Sequence, residues 1–436
     1  MNLAGTGHDV PHAGTAAEAE ALIAEARARA RRRRRRIAVA VFCAAALTAG
    51  ALAATGGFSG GGPGARAGNG PALSLTEPAS PPRYFLYAQA SGGAYGWLQI
   101  RESATGQLVG QPRAQLPDYL PPYGLAATGP GSFVVGMMTP SDCATQFFRM
   151  RLDDRGRPGK LTRFGPTLPG ELTALAASAG GGLIAYAIDD SGCKTGGTSL
   201  GAYLGVLDVH SGQTRQWTEA SGRSQLYMSA NGLSSRLSQL SMSANGRLLA
   251  FSLATGRPIH GGTEITGMQV QVLSTDAPPG PLAERSRVVL RDATSLSFMN
   301  GGSTVLLSPS GTSFYLCSQP FTLPRPGASR VVETARITAY RTATGKATGV
   351  IANFATSYAM TKTGGYLPSL GCSSMALDTS GRFLLVPYLT SHVNPEDSYS
   401  AGSLRMAIIN TVTGARSGWT QRFGQDDVPG TTTLAW

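Results

Sequence analysis

The sequence predicts an all-β fold made of a repeated four-stranded unit, and three observations predict it. The first is a hairpin pattern, plainest at residues 237–253 (LSQLSMSANGRLLAFSL), where two short apolar runs flank Asn245-Gly246, a dipeptide suited to a two-residue turn. The second is its recurrence at residues 124–138, 172–188, 296–308 and 374–389, at intervals of about 50 to 80 residues. The third is composition: 57 glycines and only 7% aromatic residues suit many tight turns rather than a helical bundle.

Taken in order, residues 1–36 read as a cytoplasmic tail, in which 18–36 (EAEALIAEARARARRRRRR) is rich in strong helix formers. Residues 37–54 (IAVAVFCAAALTAGALAA) carry no charge and would rise about 27 Å as a helix, enough to cross a thin hydrocarbon core. Arg31, Arg32, Arg33, Arg34, Arg35 and Arg36 abut that span, so the positive-inside rule places the N terminus in the cytoplasm and the remainder outside the cell membrane. A cleaved signal peptide is the competing reading, because Ala51-Leu52-Ala53 forms an A-x-A site. Residues 55–83, rich in Gly, Ser and Pro, form a flexible tether with a root-mean-square span of roughly 30 Å.

From Tyr84 onward the chain reads as β-strand throughout, and a second hairpin follows each of the first kind. These are residues 98–110, 147–161, 203–217, 268–280, 336–350 and 405–419, several turning at Thr-Gly or Ser-Gly. Two hairpins make four strands, A to D, which is one blade of a β-propeller. Strand A starts fall near residues 123, 172, 237, 293 and 373, and a lone strand at 431–436 ends the chain. Residues 84–89 and 98–101 then serve as strands B and C of a first blade whose A strand comes from the C-terminal residues. That arrangement closes a six-bladed ring over residues 84–436 and removes its open edges.

Units such as SMSANGRLLAFSL and MALDTSGRFLLVPYL, paired with LDVHSGQTRQW and YRTATGKATG, resemble the blades of WD40-like and TolB-like β-propellers. The resemblance covers residues 84–436 but lacks the Trp-Asp ending and Gly-His start of the WD40 signature, so it implies a fold rather than a function. The excess of Ala, Gly and Arg points to a bacterial source.

In such a ring the A–B and C–D turns share one face, and the B–C and D–A connections share the other. The long insertions predicted at 139–146, 189–202, 254–267, 309–334, 351–371 and 390–403 all fall on that second face, where binding usually resides. Cys143, Cys193, Cys317 and Cys372 fall there too, and an even number outside the cytoplasm suggests disulfides. Pairing Cys143 with Cys193 and Cys317 with Cys372 joins neighbouring blades, whereas the other two connectivities span the ring. His260, Tyr366, His392, Glu396 and Asp397 are the candidate binding residues of this face.

No cofactor or metal site is indicated. His260 and His392 lack Cys or carboxylate partners at ligand spacing, and acid pairs such as Asp189-Asp190 are more simply solvated. The +12 net charge is divided, with +4 in residues 1–36 (eight Arg against Asp9, Glu18, Glu20 and Glu25). The rest carries no basic cluster beside stacking aromatics, which argues against nucleic acid. The expectation is therefore a membrane-anchored, non-enzymatic interaction or sensing module that binds an extracytoplasmic protein or cell-envelope ligand. An exported propeller enzyme of lyase or lactonase type is the alternative.

Overall fold

The computed structural model describes residues 80–91, 94–112, 124–139, 143–189, 202–218, 240–259, 262–292, 304–318, 330–359, 374–391, 402–422 and 431–436. Among these residues no helix is long and apolar enough to cross a membrane. The predicted tail, span 37–54 and nearly all of the tether lie outside them.

Six sheets form the blades of a propeller, each built on four antiparallel strands, and one of them gains a short fifth strand in parallel at its outer edge. Blade 1 is Thr431–Ala435, Tyr84–Ser91, Ala94–Glu102 and Leu108–Gly110. Blade 2 is Gly124–Gly129, Ser132–Thr139, Ala144–Arg151 and Thr162–Pro169. Blade 3 is Glu171–Ala177, Leu183–Asp189, Ala202–Asp208 and Thr214–Thr218. Blade 4 is Leu240–Met242, Leu248–Ile259, Gly262–Ser274 and Ser286–Asp292. Blade 5 is Val305–Leu307, Ser313–Ser318, Arg330–Arg341 and Ala347–Ala359. Blade 6 is Ala376–Leu377, Phe383–Ser391, Gly402–Asn410 and Arg416–Arg422. The C-terminal strand pairs with Tyr84–Ser91 from Leu86↔Ala435 to Ala90↔Thr431, so the ring closes as the sequence predicts.

Each blade is buried on both sides, which is why its inner strands read as near-continuous apolar runs rather than alternating ones. In blade 4, Leu249 and Phe251 pack with Leu204 and Trp217 of blade 3, while Ala250 packs with Val305 and Phe314 of blade 5. Six such clusters, one per interface, run round the ring. The last joins Leu385 and Met406 of blade 6 to Phe85, Leu434 and Trp436.

One local motif builds the A–B turns of blades 3 to 6. The backbone N–H of Ser178, Ser243, Ser308 and Asp378 donates to the carbonyl five residues on. Their side-chain oxygens in turn accept the N–H of that residue, at 2.9, 3.0, 3.1 and 2.8 Å. Three residues after each sits a glycine with φ of 67°, 72°, 73° and 77°, left-handed backbone that suits Gly181, Gly246, Gly311 and Gly381.

Four expectations are corrected. The Asn245-Gly246 turn is not a two-residue one: the loop runs 243–247, and only Gly246 has positive φ, whereas the predicted turn needs it at both positions. In blade 5 the run around 305–307 is strand A, not the return arm of a 296–308 hairpin; it pairs forward with Ser313–Ser318. The hairpins predicted at 147–161 and 268–280 have their D strands later, at Thr162–Pro169 and Ser286–Asp292. In the second case Gly280–Pro281 instead joins the edge of blade 3, beside Trp217 and Thr218, where the Trp217 indole N–H donates to the Pro278 carbonyl. Finally, much of 254–267 and 351–359 is strand rather than loop.

Candidate functional site

The two rims of the propeller differ in how their backbone is used. At the short-turn rim the B–C ladder of every blade is completed by one further bond. The donors are the N–H groups of Ser103, Leu152, Val209, Thr275, Thr342 and Thr411; the acceptors are the carbonyls of Arg83, Gly131, Gly182, Arg247, Thr312 and Arg382. Neighbouring turns are also joined, Ala179 N–H to Ala244 O at 2.9 Å and Ala244 N–H to Pro309 O at 2.8 Å. Asp208 at this rim accepts the N–H groups of Ser211 and His210, in that order of weight, which hold its carboxyl below the ordinary range.

The opposite rim carries two projecting ribbons. In blade 4, strands B and C stay paired from Leu248↔Ser274 to Ile259↔Gly262. Strand A reaches only Phe251 and strand D only Met268. About five residues of each strand, or roughly 17 Å, therefore extend beyond the four-stranded sheet. In blade 5, strands C and D pair out to Arg330↔Ala359, whereas strand B stops at Ser318↔Arg336. Both ribbons have backbone edges that no described strand pairs, and such edges can accept an extended segment from a partner.

Within blade 2 and within blade 5, short polar links fix the backbone near this rim. Cys143 is the one described non-glycine residue with positive φ, at 46°. Its carbonyl accepts the Gly170 N–H at 2.8 Å, and the buried Thr145 hydroxyl donates to the Gly170 carbonyl at 2.8 Å. Cys317 is fully buried in blade 5, its N–H donating to Thr304 O. Neither cysteine is without a partner.

Of the candidates named from sequence, His260, Tyr366, His392, Glu396, Asp397, Cys193 and Cys372 lie outside the described residues. His260 falls between Ile259 and Gly262, the last rung of the blade 4 ribbon. His392, Glu396 and Asp397 fall between Ser391 and Gly402, the last rung of strands B and C in blade 6. Tyr366 follows the blade 5 ribbon. Among the described residues no group of three or more His, Cys, Asp and Glu could hold a metal ion. The ribbons were not legible as such, although the run RVVETARITAY at 330–340 carries the β-branched signal that marks one of them.

No protein-family model matches this chain, and no curated protein does. Among solved structures it is similar to a protein from Lactobacillus plantarum, with a TM-score of 0.35 and 11% identity over 81% of this chain and 98% of that one. It is similar to a puromycin-hydrolyzing peptidase of Mycobacterium tuberculosis, with a TM-score of 0.32 and 13% identity over 67% and 52%. A Synechocystis apocarotenoid oxygenase variant gives 0.35 and 10% over 79% and 71%. The chain spans about half the length of the peptidase it matches. Likenesses this distant carry no argument about activity, and the fold rests on the pairing described above.

Proposed function

We propose that this chain is a membrane-anchored binding module whose propeller, outside the cytoplasm, captures a protein or cell-envelope ligand through the B–C and D–A rim. The observation that carries the reading is the contrast between rims: one has its turn backbone tied into repeated hydrogen bonds, while the other projects two ribbons whose outer edges no described strand pairs. The anchor is residues 37–54, with Arg31 to Arg36 holding the N terminus inside. Cys143 pairs with Cys193 and Cys317 with Cys372, stapling neighbouring blades at the binding rim. Support comes from Cys143 and Cys317, neither of which is without a partner. Stapling preorganises the rim and so lowers the entropy lost on binding.

The test compares capture by the full chain and by a His392→Ala, Glu396→Ala, Asp397→Ala variant, using membranes of the source cell and mass spectrometry of what is retained. Loss of a retained partner in the variant, with capture intact in Thr344→Ala on the other rim, supports the reading. Turnover of a substrate by the purified chain, abolished by the same triple change, would favour an enzyme instead.

A further inference from the structure

We propose that blades 4 to 6 of the short-turn rim rest against an anionic phospholipid membrane. Five exposed cations gather there: Arg247 in the A–B turn of blade 4, Arg287 at the start of its strand D, Arg341 and Lys346 flanking the C–D turn of blade 5, and Arg416 opening strand D of blade 6. Hydrogen bonds draw them together. The Arg287 guanidinium donates to the carbonyls of Thr342 and Ala343, 3.0 Å each, inside the turn that carries Lys346. Arg416 donates to Asn353 O of blade 5 at 2.9 Å.

These partners are neutral carbonyls, so the five charges remain. The ion pairs among the described residues are Arg83–Glu102, His210–Asp208 and Arg215–Asp276, and none includes these five. The sector's other acids are Glu284, beside Arg285, and Asp378, which is buried and occupied with the N–H groups of Phe383 and Ser380. At the sector's edge stands Val412, 75% exposed. Asn410 Oδ1 accepts the N–H groups of Val412 and Thr413 and fixes that turn. Unneutralised cations beside an exposed aliphatic side chain match the interfacial layer of an anionic bilayer.

The chain's own path favours a membrane over another polyanion. Pro82, just ahead of strand B of blade 1, lies at this same rim, where its carbonyl accepts the Trp436 indole N–H at 3.2 Å. Residues 1–79, with the uncharged stretch 37–54, therefore join the propeller at the rim that carries the cations. Exposed stacking aromatics, which single-stranded nucleic acid needs, are lacking among the described residues here: Trp419 is half-buried and stacked on Phe85, and Tyr340 on Phe314. In this respect the inference rests on the anchor reading, and the two can fail separately.

The full chain is reconstituted into phosphatidylglycerol–phosphatidylcholine vesicles and into phosphatidylcholine alone, and hydrogen exchange is followed at residues 341–346 and 410–415. Protection is expected in the anionic vesicles only and should decline as salt rises. Each cation removed should lower the docked-to-undocked ratio roughly fivefold, so Arg247→Gln with Arg341→Gln and Lys346→Gln should lower it on the order of a hundredfold. Val412→Asp, which leaves the cations in place, should weaken docking independently. Equal protection in neutral vesicles, or no change in either variant at unchanged melting temperature, overturns the proposal. So does tight binding of single-stranded RNA by a chain that anionic vesicles leave unprotected. Alkaline carbonate extraction tests the anchor by itself: if the chain is released, vesicles added from outside still test the rim.

Discussion

Replacing Trp436 by alanine should open the ring at its seam. The side chain is 3% exposed and packs with Phe85, Phe383 and Leu434 across the joint between blades 6 and 1. Its indole N–H donates to Ser103 Oγ at 3.0 Å and Pro82 O at 3.2 Å, tying the last residue to the start of the first blade. Truncating a buried Trp costs about 3–5 kcal/mol, and leaving its hydrogen-bond partners unmet adds about 1 kcal/mol. The sum, roughly 5 kcal/mol, is a large part of an ordinary domain's stability and corresponds to about 10 °C at roughly 2 °C per kcal/mol for a large domain. Thermal unfolding by circular dichroism reads the shift. Trp436→Phe keeps most of the buried area and should fall only a few degrees, and Ser103→Ala should add little on top of Trp436→Ala. Deleting 431–436 should go further, because it also frees the edge of Tyr84–Ser91 and promotes aggregation. A Trp436→Ala melting point within 2 °C of wild type, or a deletion that stays monomeric and equally stable, would refute closure by this strand.

Other outcomes follow from the same geometry. Gly246→Ala must hold a left-handed φ of 72° with its methyl 2.6 Å from Leu183 Cδ1, whereas Gly212→Ala at φ 71° meets nothing within 4 Å. The first should cost about 1–2 kcal/mol more than the second in denaturant titration, and equal costs would show that the turn does not pack on blade 3. Burial pushes the Tyr87 phenol above its ordinary 10.0, with Arg101 pulling the other way. The folded chain then keeps a proton that the unfolded chain gives up, so stability holds below pH 10 and declines above it by up to about 1.4 kcal/mol per pH unit. Tyr87→Phe should flatten that decline between pH 10 and 11.5, and an unchanged slope would place the titration elsewhere. Reducing the proposed disulfides should lower the melting temperature and weaken partner capture together, an effect that Cys143→Ser with Cys193→Ser should reproduce in part. Capture unchanged by reductant would remove the stapling argument.

The turn chemistry made the repeat legible. Ser178, Ser243, Ser308 and Asp378 each precede a glycine by three residues, and that spacing survives where the strands themselves diverge. Apolar periodicity finds strands but does not say which neighbour each one pairs with. Residues 305–307 were therefore assigned backward to a hairpin at 296–308, although Pro309 and Gly311 mark the true turn ahead of them. Residues 254–267 read as a loop insertion, yet in the structure Gly256, Pro258 and Gly262 take part in paired strands, with a register shift at Thr255/Gly256. The hairpin expected at 268–280 takes its end as the D strand, while Gly280–Pro281 pairs with blade 3, a tertiary contact that no local pattern encodes. For the candidate site, sequence assigned the rim but not its shape: loop composition locates insertions, whereas ribbon length depends on long-range pairing.

The central claim is that the B–C and D–A rim is the binding face, and site-specific photo-crosslinking in the full chain within its own membrane tests it most directly. A crosslinker placed at Glu264 or Val332 on the ribbons, or at His392, should trap one protein or envelope ligand other than membrane phospholipid, while the same group at Thr344 or Thr413 should trap phospholipid at most. Trapping confined to Thr344 and Thr413, with the ribbons silent, would contradict the account.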